Sequence, residues 1–347
     1  MSIGIGVIGC GMIAGFHAKA IADAKGAHLA GCTDRNLQRA ADFAAENNCT
    51  AYDTLEAMLA DPAIQAVSIC SPSGAHLDPA LEAAAAGKHI LVEKPLEVTT
   101  ERCDQIIKAC EATGVKLATT FQSRFHQSSM LIKKAVDEGR FGKITMGDAY
   151  VKWYRTQEYY DSGAWRGTWA LDGGGALMNQ AIHSVDLLVW LMGPVKQISA
   201  MTATMTHERI EVEDVAVATL KFANGALGVI EATTTAYPGA LKRIEICGSE
   251  GTAVLQEEDI HTWQFANETA EDEKIRREMQ GKTESGGGAA DPSAIGHHGH
   301  TLLFEDLVAA IHEDRAPVID GHEGRRSVEV IEAIYESAKT GQTITLG

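Results

Sequence analysis

The chain has 347 residues, 45% of them apolar and 22% charged, which suits a two-domain globular protein and excludes wholesale disorder. Thirty basic residues against 47 acidic ones leave a net charge of −17, which argues against nucleic acid as a partner. No run of about 18 apolar residues occurs, so no membrane partner is expected. Seven cysteines without a C-x-x-C pair argue against a disulfide framework or thiolate zinc site and for a cytoplasmic setting.

The N-terminus lacks the basic flank of a signal peptide and reads directly as a strand, Ile3–Ile8. Further strands are expected at His28–Thr33, Ala66–Cys70, His89–Val92 and Lys116–Thr119. Helical spacing of apolar residues fills the gaps at Ile13–Lys25, Leu37–Glu46, His76–Ala86 and Thr100–Thr113. That alternation predicts a parallel sheet covered by helices on both faces. The remainder changes character, with strands expected at Thr202–Met205, Val215–Phe222, Ala226–Thr235, Lys242–Cys247 and Thr252–Leu255. Turns at Asn224-Gly225 and Gly248-Ser249-Glu250-Gly251 join several of them, which predicts an open, mostly antiparallel sheet. A long helix over Ala176–Met192, stopped by Gly193-Pro194, interrupts the strands. Helices at Thr301–Glu313 and Gly324–Thr340 close the chain. Residues 271–295 are polar without a period and read either as a surface loop or as a lid over substrate. The domain boundary expected from this pattern lies at 121/122, giving domains 1–121 and 122–347.

Gly9-Cys10-Gly11-Met12-Ile13-Ala14 follows the first strand and opens the first helix, matching the G-x-G-x-x-G/A dinucleotide fingerprint. Gly9 permits the tight turn, and Gly11 lets the backbone around Met12 and Ile13 approach a pyrophosphate. The helix N-terminus offers unpaired N–H groups to phosphate. Asp34 ends the second strand, where a carboxylate pairs with ribose hydroxyls and favours NAD over NADP, while Arg35 beside it could receive a 2′-phosphate. Ser71, Pro72 and His76 follow the Ala66–Cys70 strand at the sheet's carboxyl edge, where ligands bind. The same stretch also reads as a proline turn with Ser73 capping the next helix. Glu93-Lys94-Pro95 ends the following strand at the same edge, which puts Glu93 and Lys94 near a bound nicotinamide.

Gly173-Gly174-Gly175 opens the long helix, and Asn179 and His183 lie four residues apart on one of its faces. A lone helical histidine also suits a core, but the glycine entrance and Asn179 favour a site. Asp186, three residues beyond, either orients the His183 ring or makes a surface pair. His297, His298 and His300 suit a metal or, without supporting carboxylate spacing, a helix entrance near substrate. Trp165 and Arg166 belong to a cluster with Trp153, Tyr154, Arg155, Tyr159, Tyr160 and Trp169 that suits a sugar or nucleotide pocket and also a packed loop.

Taken together, the GCGMIA turn, the EKP triplet, the GGG…N…H helix and the C-terminal EGRRSVEVI stretch resemble the Gfo/Idh/MocA family over essentially the whole length. The segment WYRTQEYYDSGAWRGTWALDGGGALMNQ is similar to members that oxidise the 3-hydroxyl of UDP-N-acetylglucosaminuronic acid. The resemblance implies a Rossmann domain followed by an α/β domain with an open sheet that supports homodimer or homotetramer contacts. It further implies catalytic roles for Lys94 and His183 at the reacting hydroxyl. Many members carry aspartate where this chain has Asn179. The activity implied is NAD(H)-dependent hydride transfer to or from a secondary hydroxyl of a sugar, sugar acid, cyclitol or nucleotide sugar. Alternatives are glycoside cleavage through transient oxidation and a non-catalytic dinucleotide sensor.

Overall fold

The structure is a computed structural model that describes residues 2–281, 283 and 296–347. The first part of the chain gives β1 (Ile3–Ile8), α1 (Met12–Asp23), β2 (Ala27–Thr33), α2 (Leu37–Asn47), β3 (Thr50–Ala51), α3 (Leu55–Ala60), β4 (Ala66–Ile69), α4 (Leu77–Ala85), β5 (His89–Val92), α5 (Thr100–Thr113) and β6 (Leu117–Thr119). All strand pairs are parallel and the order is β3-β2-β1-β4-β5-β6. This is a doubly wound Rossmann sheet whose order reverses between β1 and β4, opening a crevice at the carboxyl ends there. Every residue of β1 is buried, as expected of a strand covered on both faces. Side-chain caps start the helices: Asn36 accepts from the Arg39 N–H, Thr54 from Ala57 and Thr99 from Arg102. The sequence reading lacks β3 and α3, each too short to carry a period.

The middle of the chain gives α6 (Gln127–Asp137), β7 (Ile144–Lys152), α7 (Gln157–Asp161), a π-helical segment (Ala176–Ala181) running into α8 (Ile182–Met192), β8 (Val195–Ala203), β9 (Val215–Phe222), β10 (Leu227–Thr233), β11 (Arg243–Gly248), β12 (Gly251–Gln256), β13 (Asp259–Phe265) and α9 (Ala270–Glu278). Neighbouring strands are antiparallel except β7 and β10, which run parallel. Along β9 buried and outward residues alternate, so one face of the sheet is packed and the other open. The almost wholly apolar α8 packs against β7 and β11 on the covered face. Four expectations are corrected here. The strand expected at Thr202–Met205 begins at Val195 and ends at Ala203. β7 and β13 were not anticipated. The long helix begins with a π-helical segment rather than α-helix. The stretch 271–295 contains part of α9, nucleated by a Thr269–Asp272 capping box; a lid over 284–295 lies outside the described residues.

The chain closes with α10 (His298–Glu313), α11 (Gly321–Thr340) and β14 (Ile344–Thr345). It divides into two compact units, residues 1–122 with 296–328, and 123–295 with 329–347. The sequence reading gives 296–328 to the second domain. In the structure these residues return to the first unit, because Phe304, Leu307 and Val308 of α10 find their apolar partners in the α1 core around Ala18 and Ile21. In the second unit β14 pairs with β8 and completes an eight-stranded sheet, β13-β12-β11-β7-β10-β9-β8-β14. Among the described residues no helix is long and apolar enough to cross a membrane.

Candidate active site

In the first unit the turn after β1 is built for a close-lying ligand. Gly9 has φ +89°, and a Cβ there would fall 3.0 Å from the Ser71 backbone nitrogen, so only glycine fits. Gly11, by contrast, has a negative φ of −79° and nothing within 4 Å of the place a Cβ would occupy. The fold itself does not demand glycine at that position, which leaves open space beside the turn. Gly11 is the N-cap of α1, no side chain caps it, and the first turn holds no acidic residue; the Ala14 N–H donates to the Gly11 carbonyl, which leaves the Met12 and Ile13 N–H groups for an anion. Met12 is exposed and Ile13 half-buried beside this opening. The Asp34 carboxylate accepts the Cys10 N–H at 2.8 Å and the Asn36 N–H at 2.8 Å, so it fixes the turn after β1. Arg35 is exposed. These features fit a dinucleotide.

The loops after β4 and β5 are braced to each other. His76 is buried, with Nδ1 2.9 Å from the Pro95 carbonyl and Nε2 3.0 Å from the Ser71 carbonyl. It therefore holds Ser71 and Pro72 against the EKP loop. Glu93, expected at the cofactor, is buried instead, with one oxygen 2.8 Å from His17 Nε2 and 3.7 Å from His300 Nε2. Its other oxygen accepts the Lys94 N–H at 3.0 Å. A carboxylate only accepts, so His17 carries its proton on Nε2, and Ser68 donates to Nδ1 at 2.7 Å. Burial works to raise the Glu93 carboxyl, yet the His17 hydrogen bond and the nearby His300 imidazole outweigh it and hold the group well below the usual range. Burial pushes His17 down. The three side chains form a metal-ligand set by type, and His300, expected at a helix entrance, does lie in the first turn of α10. The 2.8 Å His17–Glu93 contact is nevertheless that of a hydrogen bond, and the cluster anchors the backbone of Lys94. His297 pairs with Asp23 at 2.8 Å.

In the second unit the glycine entrance leads through the π-helical segment, which carries Asn179, into α8, which carries the half-buried His183. The Asn179 amide donates to Asp172, and its oxygen accepts from Gln180. Gln180 also donates to Tyr159 Oη at 2.8 Å, and Arg166 reaches the same oxygen at 2.7 Å. Arg155 Nε donates to Gln180 at 3.0 Å. The Arg166 guanidinium lies 4.3 Å from the Tyr159 ring centre and 4.5 Å from that of Trp165. Asn179, Trp165 and Arg166 thus belong to one network. Asp172 and Gln180 are the members sequence reasoning missed; buried polar residues flanking a glycine run were the available signal. Asp186 is no surface residue, since it is buried and takes a two-pronged grip from Arg124, at 2.6 and 2.8 Å.

A dinucleotide turn on a doubly wound sheet, with a lysine at the carboxyl edge, defines a dinucleotide-binding α/β protein. The chain belongs to the Gfo/Idh/MocA family: residues 3–121 match the NAD-binding Rossmann-fold oxidoreductase family and 130–254 the GFO/IDH/MocA C-terminal domain. It is 30% identical to the inositol 2-dehydrogenase of Rhizobium meliloti (strain 1021), over 74% of this chain and 76% of that one. It is 29% identical to a levoglucosan dehydrogenase of Pseudarthrobacter phenanthrenivorans, over 85% and 83%. The WlbA dehydrogenase of Bordetella pertussis, solved with NADH and UDP-GlcNAcA, is 38% identical with a TM-score of 0.89, covering 100% of this chain and 98% of that one. The protein is therefore an oxidoreductase of the NAD-binding, Rossmann-fold class.

Proposed function

We propose that the substrate is a UDP-linked N-acetylated sugar acid and that the enzyme oxidises its 3-hydroxyl to a ketone. The observation that carries this reading is the full-length likeness to WlbA at 38% identity. The network around Arg155, Tyr159 and Arg166 supports it, because planar guanidinium groups match carboxylate and phosphate oxygens. NAD supplies the hydride acceptor, held by Gly9, Gly11, Met12, Ile13 and Asp34 with Ser71 and Pro72; the Asp34 carboxylate repels a 2′-phosphate and makes NADP the weaker ligand, against the pull of Arg35 beside it. Lys94 donates to the substrate oxygen as negative charge develops there. His183 takes the hydroxyl proton through its neutral imidazole, and Asn179, which has no comparable protonation chemistry, orients the sugar. Trp165 and Arg166 line the sugar's binding face.

Met201, Val217, Leu227 and Met146 stand exposed along the open sheet face, which supports a homodimer or homotetramer formed through it; the cysteine pattern supports a cytoplasmic setting. The substrate reading is tested by following reduced nicotinamide with UDP-N-acetylglucosaminuronic acid, UDP-glucuronic acid, myo-inositol and levoglucosan. The acetylated UDP-sugar acid is expected to give a kcat/KM at least 100-fold above the others. A preference for inositol or levoglucosan would overturn the reading.

A further inference from the structure

The entrance of the helix that carries Asn179 and His183 is held in an unusual way. Three successive backbone N–H groups are collected by one residue, Glu213, which precedes β9. Gly175 donates to one carboxylate oxygen at 3.0 Å, and Leu177 to the other at 2.8 Å. Between them, Ala176 donates to the Glu213 main-chain carbonyl at 3.0 Å. The hydroxyl of Tyr335, from α11, is the fourth donor to Glu213 and the third to its carboxylate, at 3.0 Å. Glu213 is 4% exposed, so these partners replace water almost completely.

The glycines make this approach possible. A Cβ on Gly175 would lie 1.9 Å from the Glu213 carbonyl oxygen, and one on Gly174, with φ +156°, would lie 2.0 Å from the Tyr335 hydroxyl. The first N–H groups of a helix have no partner within it, and a negative group is favoured at that end. A buried carboxylate is a demanding way to meet that need, because any small polar cap would satisfy one N–H. What the carboxylate adds is a rigid, multi-point attachment that sets the register and direction of the helix entrance.

We propose that Glu213, backed by Tyr335, is a positioning residue for the reaction: it fixes the helix that presents Asn179 and His183 to the substrate. The proposal rests on the reading in which those two residues meet the hydroxyl. Glu213→Gln is the direct perturbation, since the amide keeps one acceptor but turns an NH₂ toward a backbone N–H. A misplacement of about 1 Å in a catalytic group lowers rates by roughly 100-fold. The variant is therefore expected to lose about 10- to 100-fold in kcat with UDP-N-acetylglucosaminuronic acid while KM and NADH affinity stay within about threefold. Tyr335→Phe, which removes one donor and keeps the ring, is expected to lose about 3- to 10-fold and serves if Glu213→Gln does not fold.

Two readouts separate positioning from simple support of the fold. Amide hydrogen exchange over 174–183 is expected to speed up by about tenfold or more in Glu213→Gln, with the strands of the same unit unchanged. In the His183→Asn background, adding Glu213→Gln is expected to lower kcat by less than about threefold, because the residue acts through the helix. A full second loss there, wild-type kcat in folded Glu213→Gln, or an equal loss of NADH affinity would overturn the proposal. Normal turnover in His183→Asn alone would instead sink the underlying reading, and the Glu213→Gln exchange and kcat results would still decide the clamp.

Discussion

Gly175→Ala tests the geometry of the second unit at its tightest point. The added methyl would sit 1.9 Å from the Glu213 carbonyl oxygen, 2.9 Å from Val212 Cγ2 and 3.1 Å from the Glu213 carbonyl carbon. An ordinary contact begins at about 3.4 Å, so the helix entrance or the segment before β9 must move by roughly 1.5 Å. The obstacle is main chain, which a rotamer change cannot relieve. Overpacking of this kind destabilises by about 1–3 kcal/mol. The shift also strains the Ala176-to-Glu213 backbone bond, and leaving those groups unpaired costs about 1–3 kcal/mol more. Together that is about 2–6 kcal/mol. At roughly 2–4 °C per kcal/mol for a unit of this size, Tm is expected to fall by about 4–24 °C. Thermal unfolding by circular dichroism measures it, with Gly15→Ala as the control. Nothing lies within 4 Å of a Cβ at Gly15, within α1, so that change is expected to leave Tm unchanged or slightly raised. A folded Gly175→Ala with wild-type Tm and turnover would refute the packing described for the helix entrance.

Gly11→Ala has room in the protein itself, so Tm of the ligand-free enzyme is expected to stay within about 2 °C while NADH affinity drops about tenfold or more by titration; an equal loss of both would mean the glycine serves the fold. Lys94→Ala is expected to lose turnover heavily with dinucleotide affinity near normal, and His183→Asn to lose about 10²–10⁴-fold in oxidation rate. Stability against pH has a worked sign at the His17–Glu93 pair. Both groups titrate below their ordinary values of 6.5 and 4.5 in the folded chain, so the unfolded chain binds more protons and stability falls as pH drops, first through 6.5 and then through 4.5. Urea unfolding at stepped pH should show this slope, with its lower part missing in Glu93→Gln; an unchanged slope in that variant would assign the acid sensitivity elsewhere.

Sequence periodicity carried the Rossmann half well because its strands are continuous apolar runs and three of its helices, α2, α3 and α5, have side-chain caps. β5, for example, falls at His89–Val92 as expected. β7 was hidden because Ile144–Lys152 contains Gly147 and a buried Asp148, which breaks the alternation while accepting the Val229 N–H at 2.7 Å. α9 has one apolar residue turned inward, Ile275, so only its capping box could have announced it. The return of α10 to the first unit depends on packing against α1, a partner some 280 residues away that no local pattern encodes. The turn at Gly9 and Gly11 was legible because it follows a motif, and motifs also nominate Lys94 and His183 for the proposed chemistry. The Glu213 contacts were not legible, because they depend on geometry alone, nor was the burial of Asp186, which looks exposed in the sequence.

The central claim is oxidation of a UDP-linked sugar acid at its 3-hydroxyl. The most direct test supplies UDP-N-acetylglucosaminuronic acid carrying deuterium on C3, together with NAD, and examines the reduced cofactor by mass spectrometry. Transfer predicts deuterium on the nicotinamide in step with loss of the labelled sugar and formation of a 3-ketone. Reduced cofactor without the label would place the oxidation at another carbon, and no reduced cofactor from this sugar alongside turnover of inositol would contradict the claim outright.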